Sequence, residues 1–118
     1  MPFKFEKLEI WKLALNLAND VPLLTRMFPK EEMFSLTSQF KRAADSVVLN
    51  IAEGSIGQTN AEQKKFLSYA VRSISECVSC LYLSLSRNYI NKEQFDSLYV
   101  KMEELFAKTN KFRNSIAG

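Results

Sequence analysis

Histidine is absent from the 118 residues, and glycine, proline and cysteine number only three, three and two. Without histidine the chain lacks the commonest general base and the commonest metal ligand. So few glycines and prolines exclude a turn-rich β-sandwich. Apolar runs are short and broken by charge, so no segment is suited to span a membrane. The N-terminal MPFKFEKLEIW threads charges through its apolar residues. A secretory signal has a basic-then-apolar layout instead, so a cytoplasmic location is expected. What is present is an apolar fraction of 47%, which excludes disorder. It supports one domain over residues 1–118 with a real core. The formal net charge of +3 is a mild excess, well short of a strongly basic nucleic-acid binder.

Helical periodicity runs through the chain, and no useful strand-like alternation interrupts it. The first helix is expected from about Glu6 to Phe28. Leu8, Trp11, Ala14, Leu15, Ala18 and Val21 recur at helical spacing, with Ile10, Leu13, Leu17, Leu24 and Met27 on a neighbouring face. That arc is wider than the roughly 100° of one core-facing stripe. The excess marks either a central, heavily covered helix or an additional partner surface; the second reading is preferred and assigns Ile10, Leu13, Leu17 and Leu24 to a subunit interface. Pro22 should kink the helix near Val21. Phe28-Pro29 then breaks it, and Lys30 to Ser35 form a tight connection. A second helix runs from Leu36 to Gly54 or Ser55. Gly54 and Gly57 follow, where glycine tolerates the left-handed backbone of a C-cap. Thr59 and Glu62 make a capping box that opens a third helix at about Asn60, ending near Arg87 or Asn88. Asn91 with Gln94 caps a fourth, whose apolar stripe runs from Phe95 through Leu98, Met102, Leu105 and Thr109 to Ile116. Four such helices with short connections predict an all-α, antiparallel up-down-up-down four-helix bundle.

The second helix carries a row of polar residues. Gln39, Arg42, Ser46, Asn50 and Glu53 follow at steps of three, four, four and three, beside the apolar face of Leu36, Phe40, Ala43, Val47 and Ile51. Serine and asparagine compete for backbone hydrogen bonds in a helix interior, so such a row needs a reason. It is either a polar layer that fixes helix register or a groove or subunit contact. Folding helices two and three into a hairpin brings Gln39 and Arg42 near Ser73 and Glu76. An Arg42–Glu76 ion pair is expected, with Ser46 and Asn50 facing the region from Lys65 to Tyr69.

Cys77 and Cys80 lie in mid-helix, where a local disulfide has poor geometry and nothing lowers the thiol pKa. Zinc would need two further ligands. Both cysteines are therefore expected to be buried and inert. Gly54-Ser55-Ile56-Gly57 lacks the Gly-Lys-Ser/Thr ending of a phosphate loop. No cofactor, metal or small-molecule substrate is expected, and no catalytic residue emerges. Lys64, Lys65, Lys108, Lys111 and Arg113 should converge on one end of the bundle, with Glu62 as the nearby acid. In a ring of identical subunits that patch repeats and its field adds, giving a salt-dependent surface for phosphates.

Several strings together resemble one family. They are Leu36-Thr37-Ser38-Gln39, Arg42-Ala43, Ser46 and Asn50-Ile51-Ala52-Glu53-Gly54, with Phe5-Glu6-Lys7-Leu8, Trp11, Phe28-Pro29, Phe66-Leu67, Ser73, Glu76 and Tyr89-Ile90. The pattern resembles the bacterial four-helix-bundle proteins known as 23S rRNA intervening-sequence proteins, over nearly the whole chain. The resemblance implies a four-helix bundle assembled as a homopentameric ring. Some members are encoded within sequences that interrupt ribosomal RNA genes. A related branch assists diversity-generating retroelements and binds nucleic acid through a basic surface. The chain departs from the usual pattern after Gly54, where a Gly-Arg pair is common and Ile56-Gly57-Gln58 stands instead. The expected function is a non-enzymatic homo-oligomer that binds RNA or DNA through the repeated patch. The alternative is a protein-protein interaction scaffold without nucleic acid.

Overall fold

Side chains open three of the four helices, and backbone hydrogen bonds close all four. The computed structural model describes residues 2–57 and 59–118, so Gln58, and with it part of the departure after Gly54, lies outside the described residues. A 3-10 turn, Lys4–Lys7, precedes α1 (Glu9–Thr25), and a second, Lys30–Glu32, precedes α2 (Leu36–Ser55). Then follow α3 (Asn60–Ser86) and α4 (Lys92–Ser115). The first helix is shorter than its periodicity predicts. Leu8 is extended and separates the opening turn from α1. At the other end Met27 and Phe28 donate to Leu24 and Thr25 carbonyls three residues back, so the last turn tightens after Thr25. The helix continues through Pro22, whose carbonyl also accepts the Thr25 hydroxyl.

The caps explain the other boundaries. Thr59 Oγ1 accepts the Glu62 N–H at 3.1 Å. Asn91 and Gln94 exchange two hydrogen bonds of 2.8 Å, a complete capping box. At the end of α3, Asn88 takes the left-handed conformation (φ 62). Tyr89 N–H reaches the Ser84 carbonyl and Asn88 N–H the Leu85 carbonyl, a Schellman arrangement. Gly54 and Gly57 are not in that conformation, which corrects the expected C-cap. Gly54 lies inside α2, buried, for another reason. A Cβ there would stand 3.3 Å from the Gln63 carbonyl and 3.3 Å from Phe66 Cβ. Its missing side chain lets the ends of the α2–α3 hairpin close together.

Pairs across the seams give the topology. Gln39 meets Glu76 and Ser46 meets Ser73, so α2 and α3 are antiparallel. Tyr82 packs on Phe95 and Tyr99, while Arg113 reaches Ser68, so α3 and α4 are antiparallel. Lys108 pairs with Glu9, Lys101 with Asp20, and Gln94 reaches Met27, which closes α4 against α1. The result is an elongated up-down-up-down bundle of 43 × 23 × 23 Å.

All four helices supply one core, with Phe40, Leu17, Ile51, Leu67, Ile74, Leu81, Met102 and Leu105 fully buried. Cys77 and Cys80 are buried free thiols. Burial pushes both thiols above their usual range, Cys80 to about 11. Thr109, also fully buried, leaves its hydroxyl without a partner among the described residues.

Two substitutions test this packing. Gly54→Val gains helix propensity but forces a branched side chain into a 3.3 Å gap bounded by backbone. Overpacking dominates, and unfolding free energy should fall by about 2–3 kcal/mol in urea denaturation. Thr109→Val keeps the shape and removes an unsatisfied hydroxyl. It should raise stability by about 1 kcal/mol, read as a higher urea midpoint at an unchanged slope.

Candidate functional site

Three places gather polar or charged side chains: the α2–α3 seam, the end of the bundle where the chain begins, and the opposite end. At the seam the polar row is a connected network. Asn50 Nδ2 donates to both the carbonyl and the hydroxyl of Ser46, each at 2.9 Å, and Ser73 Oγ donates to Ser46 Oγ at 2.9 Å. Ser46 therefore joins the two helices one turn further along α3 than the expected Lys65 to Tyr69 region. The expected Arg42–Glu76 ion pair is corrected as well. Gln39 Nε2 donates to Glu76 Oε2 at 3.4 Å, and Arg42 stands beside them without an ion pair among the described residues. Phe34, Ser38, Gln39, Arg42, Ser73 and Glu76 border an open groove of about 560 Å³. Glu53 is exposed at the last turn of α2, and its carbonyl accepts the Ile56 N–H.

The basic end is only partly as predicted. Lys64, Lys65, Lys108, Lys111 and Arg113 do share one end, because Lys108 reaches Glu9 and Lys64 donates to the Gly118 carbonyl at 2.7 Å. Lys108 is not a free cation. It bridges Glu104 at 2.9 Å and Glu9 at 3.1 Å, and those carboxylates, Glu104 first, hold its ammonium above the usual range. Arg113 donates to Ser68 Oγ at 3.2 Å, and the Lys65 ammonium lies over the Phe66 ring. Lys111 is exposed.

The same end includes cations that the periodicity left unassigned. Lys4 stands with Gly54, Thr59 and Phe112 around a shallow hollow, and Lys7 and Lys12 follow it toward α1. The signal was available: an antiparallel bundle returns the start of its first helix to the end of its last. Segments 2–12, 50–57, 59–66 and 104–118 build this end. They hold eight of the sixteen Lys and Arg residues but only five of the thirteen Asp and Glu. The remaining residues carry eight cations and eight acids, so the chain's positive excess belongs to one end.

The interface assignment on the first helix needs correction. Ile10, Leu17 and Leu24 are buried in the chain's own core, and Leu13 is half-buried against it. The wide apolar arc is covered from two sides, by α2 and by α4, with Phe5 packed at a tilt against Trp11. Leu15 and Leu23 are the large apolar side chains of α1 that stay exposed.

At the end opposite the cations lies a hub that the periodicity did not reveal. Glu32 accepts Tyr89 Oη at 2.6 Å, Ser35 Oγ at 2.7 Å, Arg87 Nη1 at 3.0 Å and Leu36 N–H at 3.4 Å. It caps α2 in place of a Ser35 side-chain cap and ties that end to the turn after α3. A carboxylate beside a helix N-terminus with a serine three residues on was the available signal. The Tyr89 hydroxyl, then the Ser35 hydroxyl, hold the Glu32 carboxyl down at about 2 from the usual 4.5.

Fold and seam together define the class, a four-helix bundle with a polar seam between its middle helices. A family model described as 23S rRNA-intervening sequence protein matches residues 6–111, and the chain belongs to that family. Among solved structures it is similar to a protein of unknown function from the S23 ribosomal protein family of Bacteroides thetaiotaomicron. The two share 22% identity and a TM-score of 0.82 over 88% of this chain and 97% of that one. That likeness shows the fold. No curated protein matches the chain. Among the described residues no helix is long and apolar enough to cross a membrane.

The Glu32 hub gives a pH dependence of known sign. A carboxyl depressed in the folded state stabilises the fold above its ordinary pKa and stops doing so as pH falls through the depressed value. Part of the thermal stability should therefore be lost between about pH 4.5 and 2. Glu32→Gln should melt several degrees lower at pH 7 and lose that part of the acid limb. Tyr89→Phe should narrow the window from its acid side. Circular dichroism melts against pH check both.

Proposed function

We propose that the chain is a non-enzymatic, self-associating bundle that binds RNA or DNA through its basic end. The resemblance puts the assembly at a pentamer. One observation carries the reading: eight cations against five acids at one end of a chain whose net charge is only +3. Lys4, Lys64, Lys65, Lys111 and Arg113 supply the field, while Lys108 is occupied by Glu9 and Glu104. A single patch of this size binds phosphates weakly. Several copies in a closed assembly present it repeatedly, which raises affinity without new chemistry. Membership of the intervening-sequence family agrees with a nucleic-acid partner, and a cytoplasmic location follows from such a partner. The non-catalytic part of the reading rests on the absence of histidine and on two thiols held protonated by burial.

A second reading, a protein-protein interaction scaffold, is favoured by exposed Phe34, Leu49, Ile56 and Val100. Partners that survive nuclease treatment in a pull-down would support it.

Mobility-shift titration distinguishes the two. The chain should shift structured RNA, single strands or duplex DNA, with affinity falling steeply between about 50 and 200 mM salt. The triple variant Lys64→Glu, Lys65→Glu, Lys111→Glu should bind roughly tenfold or more weakly with unchanged helicity. No shift with any of the three at low salt would sink the reading.

A further inference from the structure

We infer that the outward face of α3, just inside the basic end, is a base-stacking strip and that the nucleic acid taken there is single-stranded. Tyr69 stacks on an unpaired base, Arg72 closes over it, and Lys64, Lys65 and Arg113 hold the flanking phosphates. This assignment rests on the nucleic-acid binding proposed above and names the kind of strand.

Helical spacing sets the strip. Lys65, Tyr69 and Arg72 follow one another at steps of four and three, so they lie in one row along α3. Leu67, Ala70 and Ile74 between them are buried in the core, which turns the row outward, and all three of its members are exposed. Lys65 and Arg72 stand about 10 Å apart along the helix. That length covers roughly three nucleotides of one strand at about 3.4 Å each. The α4 flank of the row is basic, with Lys64 at the Gly118 carbonyl and Arg113 at the Ser68 hydroxyl. Glu76 lies one turn beyond Arg72, bonded to Gln39, and ends the strip.

Contacts within the row are those of a stacking platform. Tyr69 meets Phe66 edge to face, with ring centres 5.9 Å apart. Phe66 is a fixed neighbour, because it packs beside Gly54 at the closed end of the hairpin. The Lys65 ammonium lies 5.4 Å from the Phe66 ring centre, and the Arg72 guanidinium 5.9 Å from that of Tyr69. A base between Tyr69 and Arg72 needs two stacking distances, about 6.8 Å. Arg72 is exposed and forms no ion pair among the described residues, so a small swing of its long stem opens that slot. Aromatic rings and guanidinium planes both stack on bases. The other tyrosines have partners elsewhere: Tyr82 and Tyr99 pack with Phe95, and Tyr89 is held by Glu32. Tyr69 is the one that stands among cations.

An unpaired strand offers what this strip reads. Duplex bases stack on one another and show only their edges, in grooves. A convex helix face with one outward ring meets a duplex at its phosphates alone. In a single strand the base faces are free, and stacking on them tolerates any sequence. RNA and DNA share those faces, so both sugars are expected to bind.

Fluorescence-anisotropy titration of the full chain tests the strip. The probes are labelled oligouridine and oligothymidine, a duplex of equal length, and a strand with abasic sites in place of its bases. Both single strands should bind more tightly than the duplex, and about fivefold or more tighter than the abasic strand. Tyr69→Leu should weaken the single strands by about fivefold or more, with an unchanged salt slope, and leave the abasic strand and duplex unaffected. Tyr69→Phe should bind as wild type. Arg72→Gln should weaken the single strands more than the abasic strand. Circular dichroism should not change, because both side chains are exposed. A duplex bound as tightly as the single strands, or single strands bound equally by wild type and Tyr69→Leu, would overturn the strip while leaving nucleic-acid binding standing. No binding of any probe at low salt would overturn both.

Discussion

The close approach of α2 and α3 at Gly54 sets the conditions for much of the structure. With 3.3 Å between a hypothetical Cβ and both the Gln63 carbonyl and Phe66 Cβ, no larger residue fits without movement. That pinch fixes the hairpin at its closed end. Once the ends are fixed, the register along the seam follows, and every side chain facing the partner helix must suit a known neighbour. Apolar residues satisfy this through shape alone. Ser46, Ser73 and Asn50 satisfy it through three hydrogen bonds of 2.9 Å that converge on Ser46. A slip by one turn would break the Ser73–Ser46 bond, the one of the three that crosses the seam, at a partly buried position, which is costly. Glycine and serine thus fix the register together, one by steric exclusion and the other by hydrogen-bond geometry.

Elements whose boundaries depend on local chemistry were legible in the sequence. Asn91 with Gln94, Thr59 with Glu62, and the break at Phe28-Pro29 each lie where the chain changes direction. Quantities that depend on which helix faces which were less legible. The apolar arc of the first helix looked too wide for one neighbour, yet α1 has two. Ile10, Leu17 and Leu24 went to the core for that reason. Arg42 and Gln39 lie within one turn on the same side of α2, and periodicity does not say which of them reaches Glu76. The shorter amide took the bond and left the longer guanidinium at the groove. Glu32 escaped notice because its partners, Arg87 and Tyr89, lie more than fifty residues away.

The two ends of the bundle have opposite characters. Four acceptor contacts lock Glu32 at one end, and acids and cations balance outside the basic end. The other end collects the excess of cations. Helix polarity explains part of this. The C-termini of α2 and α4 lie there, and their carbonyls favour positive side chains such as Lys111 and Arg113. It does not explain Lys64 and Lys65, which lie in the second turn of α3, past the first turn over which the macrodipole acts.

Their placement is independent of helix polarity. Glu62 stands in the first turn of α3 and the two lysines follow in the second. Lys65 lies over the Phe66 ring, and Lys64 donates to the Gly118 carbonyl. Both devices hold the charge in place rather than neutralise it. Lys108 shows the alternative open to the chain, two carboxylates that remove a cation from the field. Among the described residues Lys64 and Lys65 form no ion pair, so their charge stays at the end that the basic C-terminus of α4 shares.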